Sequence, residues 1–192
     1  MKRTFQQVLL CAAIAFAGTA HAIDVAGVKV DDTITAANTT LKLNGAGIRT
    51  KVFFKVYVAS LYTTDPKTTT EAILAVPGPK QVNLTMLRDL SSDDLGSAFM
   101  AGVRKNTDKA DLAKLTNQLI NFGQLFSTVP ELKKGDVISI EWVPADGSIM
   151  MINGKKIGST FPDQAFFNAI LKIWIGENPV DGALKTKLLG GK

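Results

Sequence analysis

Arg49 and Tyr57 are the two side chains whose types and spacing could do chemistry together in this sequence. An arginine guanidinium stays charged and offers a planar fork of N–H donors, which suits a carboxylate or an enolate. A tyrosine hydroxyl can donate a further hydrogen bond to the same anion. If the strands that carry them are paired, both side chains reach one cavity. The alternative is structural: Arg49 would extend to solvent from a strand end, and Tyr57 would be a core aromatic residue.

The environment of Arg49 decides between these interpretations. A buried arginine without a partner destabilises a fold by roughly several kcal/mol, so a buried Arg49 needs an anion. Asp89 and Asp94 are the candidate partners within the chain. An internal salt bridge with one of them is therefore the rival of a bound ligand, and an exposed Arg49 would weaken the case for a site.

Strand patterns surround both residues. Residues 52–62 read VFFKVYVASLY, which is apolar on both faces and predicts a central strand covered on both sides. A strand is also predicted over residues 33–43, and the Gly-Ala-Gly of residues 45–47 interrupts it. Glycines at such an interruption permit a positive φ or a close approach of another backbone.

The rest of the chain alternates between strand-like and helix-like periodicity. Strands are predicted at residues 23–30, 81–88, 136–143, 148–152 and 155–158. Helical segments are predicted at residues 71–76, 91–106, 111–126, 161–176 and 184–189. The order predicts one α+β domain, an antiparallel β-sheet packed by a layer of helices.

The N-terminus has the three parts of a secretory signal peptide. Lys2 and Arg3 are followed by an apolar run at residues 8–17 and by the small-x-small pattern that ends at Ala22. The apolar run is shorter than the roughly 20 residues of a membrane span, and Leu10 before Cys11 disfavours a lipoprotein. We therefore predict a signal peptide at residues 1–22, cleavage after Ala22, a periplasmic location and one domain at residues 23–192.

Composition excludes several classes of active site. The only cysteine and the only histidine, Cys11 and His21, would leave with the signal peptide. The mature chain would then have no disulfide, no Cys or Ser-His-Asp nucleophile, no thiolate or imidazole metal site and no haem held by His or Cys. We expect no cofactor.

Charge gives no reason to expect a nucleic-acid partner. The chain carries a net +5, and loss of Lys2 and Arg3 lowers this charge by two. The adjacent lysine pairs at residues 133–134 and 155–156 are isolated from each other in the sequence. Scattered lysines of this kind indicate a solvated surface rather than a patch that binds nucleic acid.

Residues 44–62, NGAGIRTKVFFKVYVASLY, resemble the signature hairpin of the chalcone isomerase superfamily. The similarity continues in Asn-Gly-Lys at residues 153–155, in IWIGENP at residues 173–179 and in LKTKLLG at residues 184–190. It covers most of the mature chain and is closest to exported bacterial chalcone-isomerase-like proteins. The resemblance implies an open-faced sandwich, with a helical layer on one face of an antiparallel sheet.

The resemblance also implies roles for individual residues. Plant isomerases bind the attacking anion with the arginine that matches Arg49, and Tyr57 stands where they have a threonine. They also use a tyrosine and an asparagine on a later helix. The corresponding positions here are Leu95, Phe99 and Gly102. These differences argue against isomerase activity.

Fatty-acid-binding members of the superfamily fit better. In them an arginine and a tyrosine that match Arg49 and Tyr57 hold a fatty-acid carboxylate. The sequence has many large apolar side chains that could line a long apolar cavity, among them Phe99, Met100, Phe122, Phe126 and Phe166.

Three functions follow from these observations. The first is a non-catalytic binding protein for a small amphipathic carboxylate such as a fatty acid. The second is an isomerase, an intramolecular lyase in which Arg49 stabilises a phenolate or enolate. The third is a structural or partner-binding scaffold whose Arg49 is satisfied internally. The oligomeric state does not follow from the sequence.

Overall fold

The computed structural model describes residues 22–129 and 131–191. The predicted signal peptide lies outside the described residues, except for its last residue, Ala22. The strands are β1 (Ala22–Val25), β2 (Val28–Asp31), β3 (Thr33–Ala36), β4 (Thr39–Lys51), β5 (Phe54–Thr63), β6 (Lys80–Met86), β7 (Leu90–Ser91), β8 (Glu131–Leu132), β9 (Val137–Val143), β10 (Gly147–Ile152) and β11 (Lys155–Phe161). The helices are α1 (Thr70–Ala75), α2 (Ser92–Asn106), α3 (Lys109–Ser127), α4 (Gln164–Ile175) and α5 (Gly182–Leu188).

Seven strands form the main sheet, in the order β11-β10-β9-β6-β5-β4-β3. All of its neighbouring strands are antiparallel. Helices pack on this sheet, so the predicted α+β fold with an antiparallel sheet and a helical layer is confirmed. None of the helices among the described residues has both the length and the apolarity needed to cross a bilayer.

Strand β5 is buried on both faces, as its sequence predicts. Tyr57, Ala59 and Leu61 belong to the main hydrophobic core. Val58 and Tyr62 belong to a second, smaller cluster that includes residues of the β1–β2 hairpin. The core that surrounds Tyr57 therefore forms between this sheet and its helices.

Helix α4 occupies the centre of the helical layer. Its residues Phe166, Ile170 and Trp174 are each fully buried. An α-helix that is apolar nearly all round is stable only inside a core. Phe99 of α2 meets the indole of Trp174 edge-to-face, with 5.4 Å between the ring centroids. Aromatic packing of this kind fills the space between α2 and α4.

The predicted break of the chain at residues 45–47 is wrong. The break lies earlier, because Ala37 and Asn38 have positive φ angles of 47° and 58° and form the turn between β3 and β4. Strand β4 then continues through both glycines to Lys51. An alanine and an asparagine in this conformation give a weak turn signal, whereas the glycines give a strong one.

Gly45 and Gly47 serve the other role that the sequence left open, a close approach of backbone. Neither has a positive φ. A Cβ atom added at Gly45 would lie 2.0 Å from the carbonyl oxygen of Lys187, and one at Gly47 would lie 2.8 Å from the Cβ of Lys187. The two glycines therefore create the space in which α5 lies against β4.

Several predicted boundaries differ from the structure. Val52 and Phe53 form the β4–β5 turn, so the strand predicted from residue 52 begins at Phe54. The segment 23–30 is a hairpin, and Phe161 ends β11 instead of starting a helix. Ser91 does cap α2, because its hydroxyl accepts the N–H of Asp94 at 3.4 Å.

Candidate functional site

Arg49 and Tyr57 lie directly opposite each other on β4 and β5. The register shifts immediately afterwards, because Thr50 pairs with Lys55 and Val56 is left without a partner in β4. Residues that face each other on antiparallel strands share one face of the sheet, with Cβ atoms about 5 Å apart. The pairing that the site hypothesis requires is therefore present.

Tyr57 is a buried proton donor. Its hydroxyl oxygen accepts the indole N–H of Trp174 at 2.9 Å, which leaves the hydroxyl proton available. Burial raises the pKa of Tyr57 to about 12, although the Trp174 hydrogen bond and the charge of Arg49 both act to lower it. At neutral pH the group is an uncharged donor and not a general base.

Alkaline unfolding should report this burial. An unfolded tyrosine ionises near pH 10, whereas folded Tyr57 holds its proton to about pH 12. The contribution of Tyr57 to the free energy of unfolding is therefore constant below pH 10. Between pH 10 and 12 the free energy of unfolding should fall by up to about 3 kcal/mol, because the unfolded tyrosine loses its proton first. Denaturant titrations should show a smaller loss for Tyr57→Phe over this interval. Parallel stability curves for the two proteins would contradict the assignment.

Arg49 has an internal partner, although not one of the two predicted. Its Nη1 lies 3.6 Å from Oδ2 of Asp181, and the side chains of Arg49 and Asp181 are only 19% and 14% exposed. Nη1 also donates to the carbonyl oxygen of Thr50. The prediction of Asp89 or Asp94 is wrong, because Arg49 pairs with Asp181. Asp89 instead accepts hydrogen bonds from Lys133 Nζ and from the N–H of residue 134.

Asp181 is fixed by backbone donors before it meets Arg49. Its carboxylate accepts the N–H of Thr50 at 3.0 Å and that of Leu184 at 3.1 Å, the latter as the N-cap of α5. Burial acts to raise the pKa of Asp181, but these N–H groups and the charge of Arg49 together hold the pKa below its usual value. The 3.6 Å separation exceeds a direct hydrogen bond, so guanidinium donors remain free for another acceptor.

A cavity of about 190 Å³ opens beside this pair. Its wall combines a few polar groups with a larger apolar surface. The lining residues are Arg49, Lys51, Val56, Tyr57, Leu90, Asp94, Leu95, Ala98, Phe99, Ile173 and Val180. A mostly apolar pocket with a few convergent polar groups is typical of a site for a small amphipathic molecule.

The phenylalanines that were expected to line a long cavity mostly fill the core with their own rings. Of the five large residues predicted as candidates, Phe99 lines the cavity. Phe122, Phe126 and Phe166 are buried and pack on one another. Typical small-molecule pockets measure about 300–1,000 Å³, so this cavity suits a small ligand.

A second, larger depression is polar and lies elsewhere. It measures about 480 Å³ and includes Lys105, Asp108, Lys172 and Glu177, with none of the residues of the Arg49 cavity. Polar side chains at the surface make up most of its lining. The described residues that line it include no pair of buried polar side chains comparable to Arg49 and Tyr57. The smaller cavity is therefore the stronger candidate site.

Two residues of the site were not predicted. Trp174 lies in the predicted helix 161–176 and was given no role in the site, but its indole N–H orients the Tyr57 hydroxyl. Asp181 was not considered, although an aspartate just before Gly-Ala-Leu is a possible helix N-cap. That signal would have started α5 at Gly182 instead of residue 184, but it would not have identified Arg49 as the partner.

Comparisons with known proteins agree with the fold. The model of the chalcone isomerase-like family matches residues 22–190. The chain is similar to the crystal structure of an Arabidopsis thaliana fatty-acid binding protein, with 18% sequence identity and a TM-score of 0.64 over 85% of this chain and 92% of that chain. At this identity the likeness shows the fold alone. No match was found among curated protein sequences.

Proposed function

Since the chain belongs to the chalcone isomerase-like family, we propose that it is a non-catalytic binding protein for a small amphipathic carboxylate, such as a fatty acid. The observation that carries the proposal is the pairing of Arg49 with Tyr57 on one rung of the sheet, at a largely apolar cavity. The fatty-acid binding activity named for the Arabidopsis thaliana protein of the same fold supports it.

The carboxylate would be held by two different donors. Arg49 supplies charge-assisted N–H bonds, and Tyr57 supplies a neutral O–H whose direction is set by Trp174. The alkyl part would lie against Leu95, Phe99 and the other apolar wall residues. The volume of about 190 Å³ favours short acyl chains, since a long chain would have to displace Phe99 from its contact with Trp174.

An isomerase is less well supported by the arrangement. The cavity wall contributed by α2 consists of Leu95, Ala98 and Phe99, with Asp94 as its one ionisable group. Tyr57 has a pKa of about 12 and therefore cannot act as a base near neutral pH. Anion stabilisation by Arg49 remains, and the other ionisable side chains of the lining are Asp94 and Lys51.

One observation favours a scaffold as the second candidate function. Asp181 already compensates the charge of Arg49, so the fold does not need a bound anion to be stable. In a scaffold, Arg49 would serve to hold the start of α5 against β4. We also propose a periplasmic location, on the basis of the signal-peptide pattern at residues 1–22.

Loss of Arg49 should weaken ligand binding. Charge-assisted hydrogen bonds contribute about 1.5–3 kcal/mol, so Arg49→Ala should weaken the binding of a fatty-acid carboxylate by about 10–100-fold. The measurement is native mass spectrometry of the purified protein, mixed with saturated fatty acids of six to sixteen carbons. Arg104→Ala, which removes an exposed charge on α2, is the matched control and should bind like the wild type.

Two further variants separate the carrier from the scaffold. Tyr57→Phe should weaken binding, whereas Tyr62→Phe, a buried tyrosine of the opposite face, should not. Asp181→Asn keeps a helix N-cap but removes the competing carboxylate, so a carrier should bind its ligand as well or more tightly. Uptake of no fatty acid by any variant, with Asp181→Asn only less stable, would establish the scaffold.

A further inference from the structure

The β4–β5 hairpin ends in three consecutive apolar side chains that face solvent. Val52, Phe53 and Phe54 are 76%, 91% and 61% exposed. Among the described residues, the only other large hydrophobic side chains with such exposure are Ile23 and Ile120, which stand singly. We call the three residues the apolar tip. Contiguous exposed apolar side chains mark surfaces that contact another phase or molecule.

The backbone of the apolar tip is strained in order to present these side chains. Val52 has a φ of 59°, in the left-handed region. This conformation is rare for β-branched residues, and glycine or asparagine adopts it with much less strain. A turn optimised for folding alone would carry one of those residues. The valine therefore adds apolar surface at a position where folding disfavours it.

Cationic side chains surround the apolar tip. Lys51 and Lys55 flank it on β4 and β5, and both are exposed. Arg88 places its guanidinium over the ring of Phe54, with 5.0 Å between Cζ and the ring centroid. Apolar residues that project beyond a collar of cations match the layers of an anionic bilayer, in which acyl chains lie below phosphate groups.

Acidic groups close to the apolar tip are fewer and partly neutralised. Asp89 is paired with Lys133, with 3.1 Å between the oxygen and the ammonium nitrogen. Asp94 lies in the first turn of α2, where the helix N-terminus stabilises its charge. The cations nearest the turn therefore dominate the local charge.

From this arrangement we infer that the apolar tip inserts into the surface of a membrane containing anionic phospholipids, while Lys51, Lys55 and Arg88 bind the phosphates. A second copy of the chain is a poorer occupant. A valine and two phenylalanines exposed to this extent present roughly 400 Å², about half of the roughly 800 Å² that each partner buries in a stable dimer.

Docking would also bring the candidate site to the membrane. Lys51, Val56, Leu90 and Asp94 line both the Arg49 cavity and a depression that includes Val52 and Phe54 at the apolar tip. An amphipathic carboxylate partitions into a bilayer with its headgroup at the interface, where the cavity mouth would lie. This consequence rests on the proposed function, whereas the docking itself does not.

The test is co-sedimentation with vesicles, without added ligand. The protein is expressed from the full-length chain, and its N-terminus is determined by intact mass so that all variants share it. Vesicles of phosphatidylcholine with 30–40% phosphatidylglycerol, roughly, should bind the wild type at low salt. Binding should fall at least about tenfold for Phe53→Ser and should weaken at 0.5 M salt, because the phosphate contacts are screened.

Matched variants isolate each part of the surface. Ile120→Ser removes an exposed apolar residue from α3 and should bind vesicles like the wild type. Lys55→Glu should weaken vesicle binding, whereas its control Lys155→Glu, at another exposed lysine, should not. Val52→Asn should show opposite effects on the two readouts: weaker vesicle binding, and a melting temperature higher by about 2–4 °C because the strained φ is relieved. This combination excludes loss of folding as the cause of weak binding.

Three outcomes would overturn the inference. They are no sedimentation with anionic vesicles, equal sedimentation of Phe53→Ser and the wild type, or Phe53-dependent self-association without vesicle binding. The last would make the apolar tip a contact between copies of the chain. Fatty-acid binding is measured separately by native mass spectrometry, so failure of docking leaves the proposed function standing and the reverse also holds.

Discussion

Replacing Gly45 by alanine is expected to destabilise the protein by about 3 kcal/mol, because the new methyl group would meet backbone that cannot move alone. The added Cβ would lie 2.0 Å from the carbonyl oxygen of Lys187 and 2.9 Å from that of Leu188. Helix α5 would have to shift away from β4. The shift would also break the 2.7 Å hydrogen bond from Asn44 Nδ2 to the carbonyl oxygen of Leu188.

Denaturant unfolding of Gly45→Ala beside Gly123→Ala measures this effect. Gly123 lies within α3, and a Cβ atom there would meet nothing within 4 Å. Its replacement should therefore stabilise the protein by up to about 1 kcal/mol through helix propensity. Equal midpoints for the Gly45→Ala variant and the wild type would show that α5 does not pack on β4.

The same variant tests how the site is assembled. Asp181 is the N-cap of α5, so a displaced helix would withdraw this carboxylate from Arg49 without changing either residue. If Asp181 serves only to compensate the charge of Arg49, the folded fraction of Gly45→Ala should still bind fatty acid. Gly45 and Gly47 do not line the cavity, so any effect of their replacement on binding would act through the position of α5.

The sequence was informative where a local pattern has one physical meaning. Residues 54–62 carry mostly apolar side chains on both faces of the strand, which is typical of a central strand covered on both sides. The pairing of Arg49 with Tyr57 entered only as a condition of the site hypothesis, because the turn at residues 52–53 that brings the two strands together was not predicted. The overall α+β arrangement followed from the order of such segments.

Contacts between distant segments were not predictable. Asp181 and Arg49 are separated by most of the chain, and nothing in the residues around either one specifies the other. Asp89 was a plausible partner by type, but it is held by Lys133 instead. The turn at residues 52–53 was missed because Val-Phe has strand propensity and lacks the usual turn residues. Its strained φ is set by the strands on either side.

Replacing Lys80 by methionine should stabilise the protein by about 2 kcal/mol, because the lysine is buried without compensation. Lys80 is 0% exposed, and its ammonium nitrogen has no hydrogen-bond partner among the described residues. Burial lowers the pKa of Lys80. Methionine keeps a flexible chain of similar volume and removes the charge.

The pH dependence gives this prediction a second readout. Between the lowered pKa of folded Lys80 and the value near 10.4 in the unfolded chain, the unfolded state binds more protons. Wild-type stability should therefore rise with pH in that interval, and the gain from Lys80→Met should shrink. Lys29→Met, at an exposed position of β2, is the control and should change stability by less than about 0.5 kcal/mol.

A destabilised Lys80→Met variant would have a specific structural meaning. Lys80 pairs with Thr63 on one side and with Trp142 on the other, and Ser148 pairs with Trp142. The hydroxyls of Thr63 and Ser148 are also buried without hydrogen-bond partners among the described residues. These three polar atoms lie in one row across β5, β6, β9 and β10, where one bound water or anion could bridge them. Destabilisation by methionine would therefore show that Lys80 stays charged and binds ordered water or an anion within this row.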